Sequence, residues 1–125
     1  MTQKGFVAVS IVLILISVTI AIASTITYLA IGEAQSGLSL FKGEDNLTLV
    51  EGCLEDVMLK IRSDSAFNGT TVARPEGTCS ITYTSGGPVN WDITAASVTT
   101  AFQRKIQVQF TRNPTGIVLT NWKEI

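Results

Sequence analysis

The stretch Phe6–Ile31, FVAVSIVLILISVTIAIASTITYLAI, contains no charged residue and no proline. About 20 consecutive apolar residues suffice to cross the hydrocarbon core of a bilayer as a helix. The many β-branched residues weaken a helix in water, but lipid leaves the backbone almost no alternative, because unpaired N–H and C=O groups are costly there. The stretch therefore predicts a membrane-spanning helix near the N-terminus.

The residues on either side of this stretch predict its orientation. Lys4 precedes it, whereas Glu33 is the first charge after it and no basic residue follows until Lys42. Basic residues favour the cytoplasmic side of a membrane, so we expect the N-terminus in the cytoplasm and residues 32–125 outside. A secretory signal peptide cut at Ala21-Ile22-Ala23-Ser24 is the competing interpretation, but signal peptides have a shorter apolar region.

Six serine and threonine side chains lie within the apolar stretch. Such hydroxyls bond to helix carbonyls and let helices pack closely in a membrane, or they are simply tolerated there. The sequence favours neither interpretation. The six residues are Ser10, Ser17, Thr19, Ser24, Thr25 and Thr27.

Cys53 and Cys79 are the only cysteines, and both follow the apolar stretch. Outside the cytoplasm we expect a disulfide between them. Closing a loop of this size stabilises by about 3–4 kcal/mol in the chain-entropy estimate, which is large beside the roughly 5–15 kcal/mol of a typical domain. Two separately buried thiols are the alternative, and a metal site is less supported because the chain has no histidine.

Beyond Ile31 the pattern predicts a helix followed by strands. The helix is expected to continue through Gly32–Asn46, although three glycines weaken it, and to end near Asp64. From residue 47 onward its apolar face consists of Leu47, Val50, Leu54, Val57, Met58 and Ile61. The segment Ser65–Gly77 is rich in turn-forming residues and is predicted as a loop.

Four segments of alternating apolar and polar residues follow, near residues 79–84, 91–95, 105–111 and 117–122. In the last segment both faces are apolar, so the pattern does not predict which of them is buried. One helix followed only by strands predicts an α+β fold, with the helix laid across an antiparallel sheet of about four strands.

The composition disfavours several classes of function. The 125 residues leave room for one small domain besides the apolar helix, and the net charge of −1 gives no strongly basic surface for nucleic acid. Without histidine or a plausible lysine base, no serine can be assigned as a nucleophile. We therefore expect neither an enzyme nor a cofactor.

Three weaker patterns are by default solvated surface or chance matches. The first would bind DNA, the second would bind calcium, and the third would carry an N-linked glycan. The groups are Arg104 with Lys105 and Arg112, then Asp64, Glu76 and Asp92, and finally the tripeptides Asn46-Leu47-Thr48 and Asn68-Gly69-Thr70.

The junction Lys4-Gly5-Phe6, followed by the apolar helix, resembles the leader of type IV prepilins and pseudopilins. In that family a prepilin peptidase cuts after the glycine and the new N-terminal Phe is methylated. The resemblance implies a leader of residues 1–5, cleavage between Gly5 and Phe6, and N-methylation of Phe6. Most members have a glutamate as the fifth mature residue, which pairs with a neighbour's terminal amine during assembly. This chain has Ser10 there, which favours a minor or atypical subunit.

The rest of the chain resembles bacterial pilin-like proteins with one cysteine at the helix end and another opening the first strand, a group known mainly from predicted proteins of small-genome lineages. The segments that carry the resemblance are Gly52–Arg62, Gly77–Ile81, Trp91–Ala95, Arg104–Val108 and Asn121–Glu124. It implies the pilin fold, with residues 6–31 in the membrane or filament core and residues 32–125 as an extracytoplasmic domain.

The implied function is a structural subunit of a type IV pilus or a type II secretion-like filament. Its expected partners are other pilin or pseudopilin subunits, the prepilin peptidase, the pilus assembly platform and, before assembly, the inner membrane; nucleic acid is not expected. The expected location is a single-pass inner membrane protein before assembly and a filament or the cell surface afterwards. The alternatives are a permanently anchored surface protein that displays a small β-rich binding domain, and a secreted module cut near Ala23.

Overall fold

A computed structural model describes residues 2–99 and 101–125, and it divides the chain into an N-terminal unit (residues 1–38) and a C-terminal unit (residues 39–125). The secondary structure of these described residues is one helix followed by five strands. The elements are α1 (Thr2–Ser63), β1 (Thr71–Arg74), β2 (Gly77–Gly86), β3 (Asn90–Ser97), β4 (Lys105–Asn113) and β5 (Gly116–Glu124).

Residues 2–38 of the N-terminal unit are helical. The apolar stretch Phe6–Ile31 is helical throughout, as predicted, and Gly32 and Gly37 do not interrupt α1. Its apolar side chains are exposed around the whole circumference. This helix is long and apolar enough to cross a membrane.

The C-terminal unit is an α+β domain, as predicted. Residues 39–63 of α1 pack on one face of a five-stranded antiparallel sheet, whose strands lie in the order β1-β2-β3-β4-β5. Each strand pairs with the next one along the chain, so short connections suffice throughout.

The number of strands corrects the sequence analysis, which expected about four. The additional strand is β1, which lies inside the segment predicted as a loop and pairs with β2 through Val72 opposite Cys79. With only four residues and a single buried apolar side chain, β1 carries too little alternation to be recognised between turn-forming residues.

The core lies between α1 and the sheet. Four residues of the predicted apolar face, Val50, Leu54, Val57 and Ile61, are fully buried, while Leu47 and Met58 are partly buried against them. The sheet contributes mainly the inward residues of β1 to β4, which are Val72, Cys79, Ile81, Trp91, Ile93, Ala95, Ile106, Val108 and Phe110. The apolar residues at helical spacing in α1 and the alternating apolar residues of the strands thus pack against each other in one core.

A β-bulge determines which face of the last strand, β5, is turned towards the helix. Gln109 pairs with Asn121 and Phe110 pairs with Leu119, so Thr120 is an extra residue in β5. Leu119 and Trp122 therefore share the helix-facing side of the sheet, although strict alternation would place them on opposite faces. Both remain substantially exposed, because β5 is an edge strand.

Candidate functional site

The predicted processing junction lies within α1. A Cβ added at Gly5 would meet no atom within 4 Å, and the Phe6 side chain is 74% exposed. Ser10, one turn further on, is half-buried. Within the N-terminal unit, no side chain therefore packs against the Gly5 position.

The hydroxyl groups of the apolar helix are bonded within the helix itself. Ser17, Thr19, Ser24, Thr25 and Thr27 each donate to a carbonyl oxygen three or four residues earlier, at 2.7–2.9 Å. A hydroxyl with a partner loses most of the penalty for leaving water. These five side chains are thus compatible with lipid or with neighbouring helices.

Cys53 and Cys79 form a disulfide in the structure, which confirms that prediction. Both residues are fully buried, and the bond joins α1 to β2. Since both sulfur atoms are used, the alternatives of separate thiols and of a metal ligand pair are wrong. The bond lies within the core, where it fixes the register of the helix against the sheet.

Arg74 ties the β1–β2 hairpin to the helix. Its Nη1 lies 2.7 Å from Asp56 Oδ2 and donates to the Gly52 carbonyl at 3.3 Å, and its Nε lies 3.4 Å from Glu76. The hydrogen bond to Asp56 raises the pKa of Arg74 above its usual value. A Cβ at Gly52 would lie 2.9 Å from the guanidinium carbon, so the glycine makes room for this contact. Sequence reasoning missed this cluster because β1 itself was not recognised.

The three residues considered as a DNA-binding patch lie towards opposite ends of β4, with Arg104 and Lys105 at its start and Arg112 near its end. Arg104 forms an ion pair with Glu124. Arg112 donates from Nε to the Ile61 carbonyl at 2.9 Å and from Nη2 to the Arg62 carbonyl, and thus caps the C-terminal end of α1. Two of the three charges therefore have structural partners.

The three carboxylates considered for calcium are also separate. Asp64 accepts from the Ala66 N–H at 2.9 Å, and Glu76 pairs with Arg74. Asp92 accepts from Gln107 and Gln109 on the outer face of the sheet. Residues 2–99 and 101–125 include no group of three carboxylate, cysteine or histidine side chains placed to hold a metal ion.

One cavity of the C-terminal unit, of about 510 Å³, lies between α1, the β1–β2 hairpin and the β3–β4 loop. Lys42 and Arg74 line it together with Asp45 and Glu76. Charges of both signs therefore line this cavity.

A cleft of about 470 Å³ lies at the end of the C-terminal unit where α1 ends. Residues 65–68 line one side, and Tyr83, Trp91 and the β2–β3 turn line the other. Tyr83 contacts Trp91 edge to face with ring centroids 6.1 Å apart, and its Oη donates to the Gly69 carbonyl at 2.8 Å. Burial raises the pKa of the Tyr83 phenol. Sequence reasoning did not identify this cleft, since its aromatic residues come from three separate segments.

Comparisons of the chain with models of protein families, with curated proteins and with solved structures found no match. A functional assignment therefore depends on the residues and contacts described above.

Proposed function

We propose that this chain is the precursor of a structural subunit, minor or atypical, of a type IV pilus or a type II secretion-like filament. The observation that carries the proposal is the apolar surface of residues 6–31, which begins directly after Lys4-Gly5 and stays exposed on all sides. Such a surface needs either lipid or other apolar helices around it. A subunit that moves from membrane to filament meets both in turn.

The proposed sequence of events follows from the leader and the helix. The inner membrane first holds the chain as a single-span protein, with the N-terminus in the cytoplasm. A prepilin peptidase removes residues 1–5, and the new terminal Phe6 is N-methylated. The pilus assembly platform then transfers the helix from lipid to contacts with neighbouring pilin or pseudopilin subunits.

Two further features support this proposal. The five helix hydroxyls that bond to helix carbonyls keep their own donors paired whether α1 lies in lipid or against other helices. The disulfide between Cys53 and Cys79 suits an oxidising compartment outside the cytoplasm. Ser10 stands where most members of the resembled family have a glutamate, which favours a minor or atypical subunit.

The deciding experiment is mass spectrometry of the N-terminus of the chain recovered from its native cell envelope and from sheared surface filaments. We expect a chain that begins at Phe6 and carries one additional methyl group. A chain that retains residues 1–5 in the surface fraction would contradict the proposal and favour the permanently anchored surface protein. A chain that begins near Ala23 would instead favour the secreted module.

Two glycines of the same helix provide a matched pair of variants. A Cβ at Gly5 or at Gly32 meets no atom within 4 Å, so Gly5→Leu and Gly32→Leu disturb the fold equally little. We expect Gly5→Leu to leave the leader attached and to remove the chain from the filament fraction, whereas Gly32→Leu is processed normally. Equal processing of the two variants would show that cleavage does not occur after Gly5.

A further inference from the structure

The two tripeptides that match the N-glycosylation pattern have different environments in the structure. Asn46 lies within α1 and is half-buried. Its side-chain Nδ2 donates to the carbonyl oxygens of Ala101 and Phe102, at 3.3 and 3.0 Å. Because this amide nitrogen already holds the β3–β4 loop against the helix, Asn46 is not available to a transferase.

Asn68 lies in the connection between α1 and β1, outside any helix or strand, and its side chain is exposed. The connection is held on both sides of this residue. The Asp64 carboxylate accepts from the Ala66 N–H at 2.9 Å, and the Gly69 carbonyl accepts from Tyr83 Oη. The Asn68 side chain is thus presented to solvent from a short, anchored segment, and Thr70, the third residue of the tripeptide, is exposed as well.

The aromatic cleft adjoins this side chain. Asn68 itself lines the cleft, together with Phe67, Tyr83, Pro88 and Trp91. A Cβ at Gly69 would lie 2.6 Å from the Phe67 ring, so the glycine lets this ring lie over the loop. Phe67 and Tyr83 are partly exposed, whereas Trp91 is buried. Partly exposed aromatic rings beside polar rim groups suit a sugar, because its C–H faces pack on rings while its hydroxyls bond to polar atoms.

We propose that Asn68 is the attachment site of an N-linked oligosaccharide, and that the first sugar of this oligosaccharide lies in the aromatic cleft. The donor is a lipid-linked oligosaccharide diphosphate. Asn68 Nδ2 forms a bond to the anomeric carbon, the bond from that carbon to the diphosphate oxygen breaks, and the lipid diphosphate leaves with the electron pair. The amide loses one proton to a base of the transferase. The inference rests on the extracytoplasmic placement of the C-terminal unit proposed above.

The test is mass spectrometry of the reduced tryptic peptides of the chain purified from its native cell envelope. We expect a glycan mass on the peptide that contains Asn68 and an unmodified peptide that contains Asn46. Asn68→Gln and Thr70→Ala are expected to lose the modification completely, whereas Thr70→Ser and Asn46→Gln retain it. An unmodified Asn68, or an Asn68 converted only to aspartate, would overturn the proposal.

The position of the first sugar has its own readout. Enzymatic removal of the glycan is expected to lower the thermal unfolding temperature, and Phe67→Ala is expected to abolish this difference. An unfolding temperature unaffected by glycan removal would overturn the cleft part of the proposal. The N-terminal peptide of the same sample reports cleavage at Gly5, so failure of the glycan and failure of the proposed filament function are distinguished.

Discussion

Residues 6–31 and residues 47–63 belong to the same helix but use their apolar side chains in different ways. In the first segment leucines, valines and isoleucines surround the helix and are about half or more exposed. In the second segment most of them form one stripe that is wholly or partly buried against the sheet, and Leu59 lies exposed outside this stripe. A stripe can be covered by a single sheet, but an apolar circumference cannot. The first segment therefore requires an apolar environment from outside the chain.

The largest expected effect comes from a pair of matched leucines. Leu54 is 0% exposed and Leu15 is 61% exposed. We expect Leu54→Ala to lower the free energy of unfolding of the C-terminal unit by about 2–5 kcal/mol, because it leaves a cavity in the core, and Leu15→Ala to change it by less than about 0.5 kcal/mol. Both tryptophans, Trp91 and Trp122, lie in the C-terminal unit, so denaturant unfolding of the full chain in detergent, followed by tryptophan fluorescence, measures this quantity. Similar losses for the two variants would contradict the division of roles within α1.

Removing the disulfide tests how much this bond contributes to the stability of the C-terminal unit, in which α1 packs on the sheet. Replacing Cys53 and Cys79 by alanine is expected to cost about 3–4 kcal/mol, because the unfolded chain regains the freedom of the loop between them. The same unfolding assay measures the loss, and chemical reduction of the unaltered chain should reproduce most of it. Two free thiols found by alkylation and mass spectrometry in envelope material would show that the bond does not form in the cell.

A lysine introduced into residues 6–31, compared with one introduced into residues 47–63, tests whether the first segment lies in a membrane. Val18→Lys lies near the centre of the apolar stretch, where a lysine costs about 2.5–3.5 kcal/mol of apparent insertion free energy. We expect a larger fraction of this variant to be extracted from membranes by alkaline carbonate. Leu59→Lys is the control, because Leu59 is also exposed, at 61% against 50% for Val18, but lies in the C-terminal unit, and the extraction of this variant should be unchanged. Identical extraction of both variants would argue against a membrane role for residues 6–31.

The smallest effect concerns Tyr83, at the cleft. Tyr83→Phe removes the hydrogen bond to the Gly69 carbonyl and is expected to cost about 1 kcal/mol. Burial raises the pKa of Tyr83 above its usual value of about 10. The unfolded chain therefore releases this proton first, and stability falls as the pH rises from 10 towards the folded pKa. A comparison of unfolding free energies between pH 8 and pH 11 should show a smaller fall in the variant, and an equal fall would contradict the assignment.

The strongest periodic signals in the sequence correspond to the best-predicted parts of the fold. The apolar stretch and the stripe from Leu47 to Ile61 predicted α1, which ends at Ser63, close to the expected Asp64. Alternation predicted β2 to β4 and most of β5. It failed for β1, which has only four residues, and for the inward face of β5, where the bulge at Thr120 shifts the alternation by one residue.

The surface clusters were less predictable, because they combine residues that are distant in the sequence. Arg112 was considered as part of a DNA-binding patch, but it caps the end of α1. It does so by donating to the carbonyl of Ile61, which lies fifty-one residues earlier in the sequence. The contact of Arg74 with Gly52 and Asp56 depends on the path of a strand that the pattern did not reveal. The choice between the two glycosylation tripeptides also needed the fold, since their local sequences are equivalent.

The sequence by itself determined that this protein has a helix apolar on all sides, followed by a small domain with one helix, antiparallel strands and two cysteines. These properties follow from hydrophobic periodicity and composition, which are local. Only the tertiary structure decided the fifth strand, the side of β5 that turns inward, the partners of the arginines and the cleft beside Asn68. Those features depend on which distant segments meet in space, and a local pattern carries no information about such contacts.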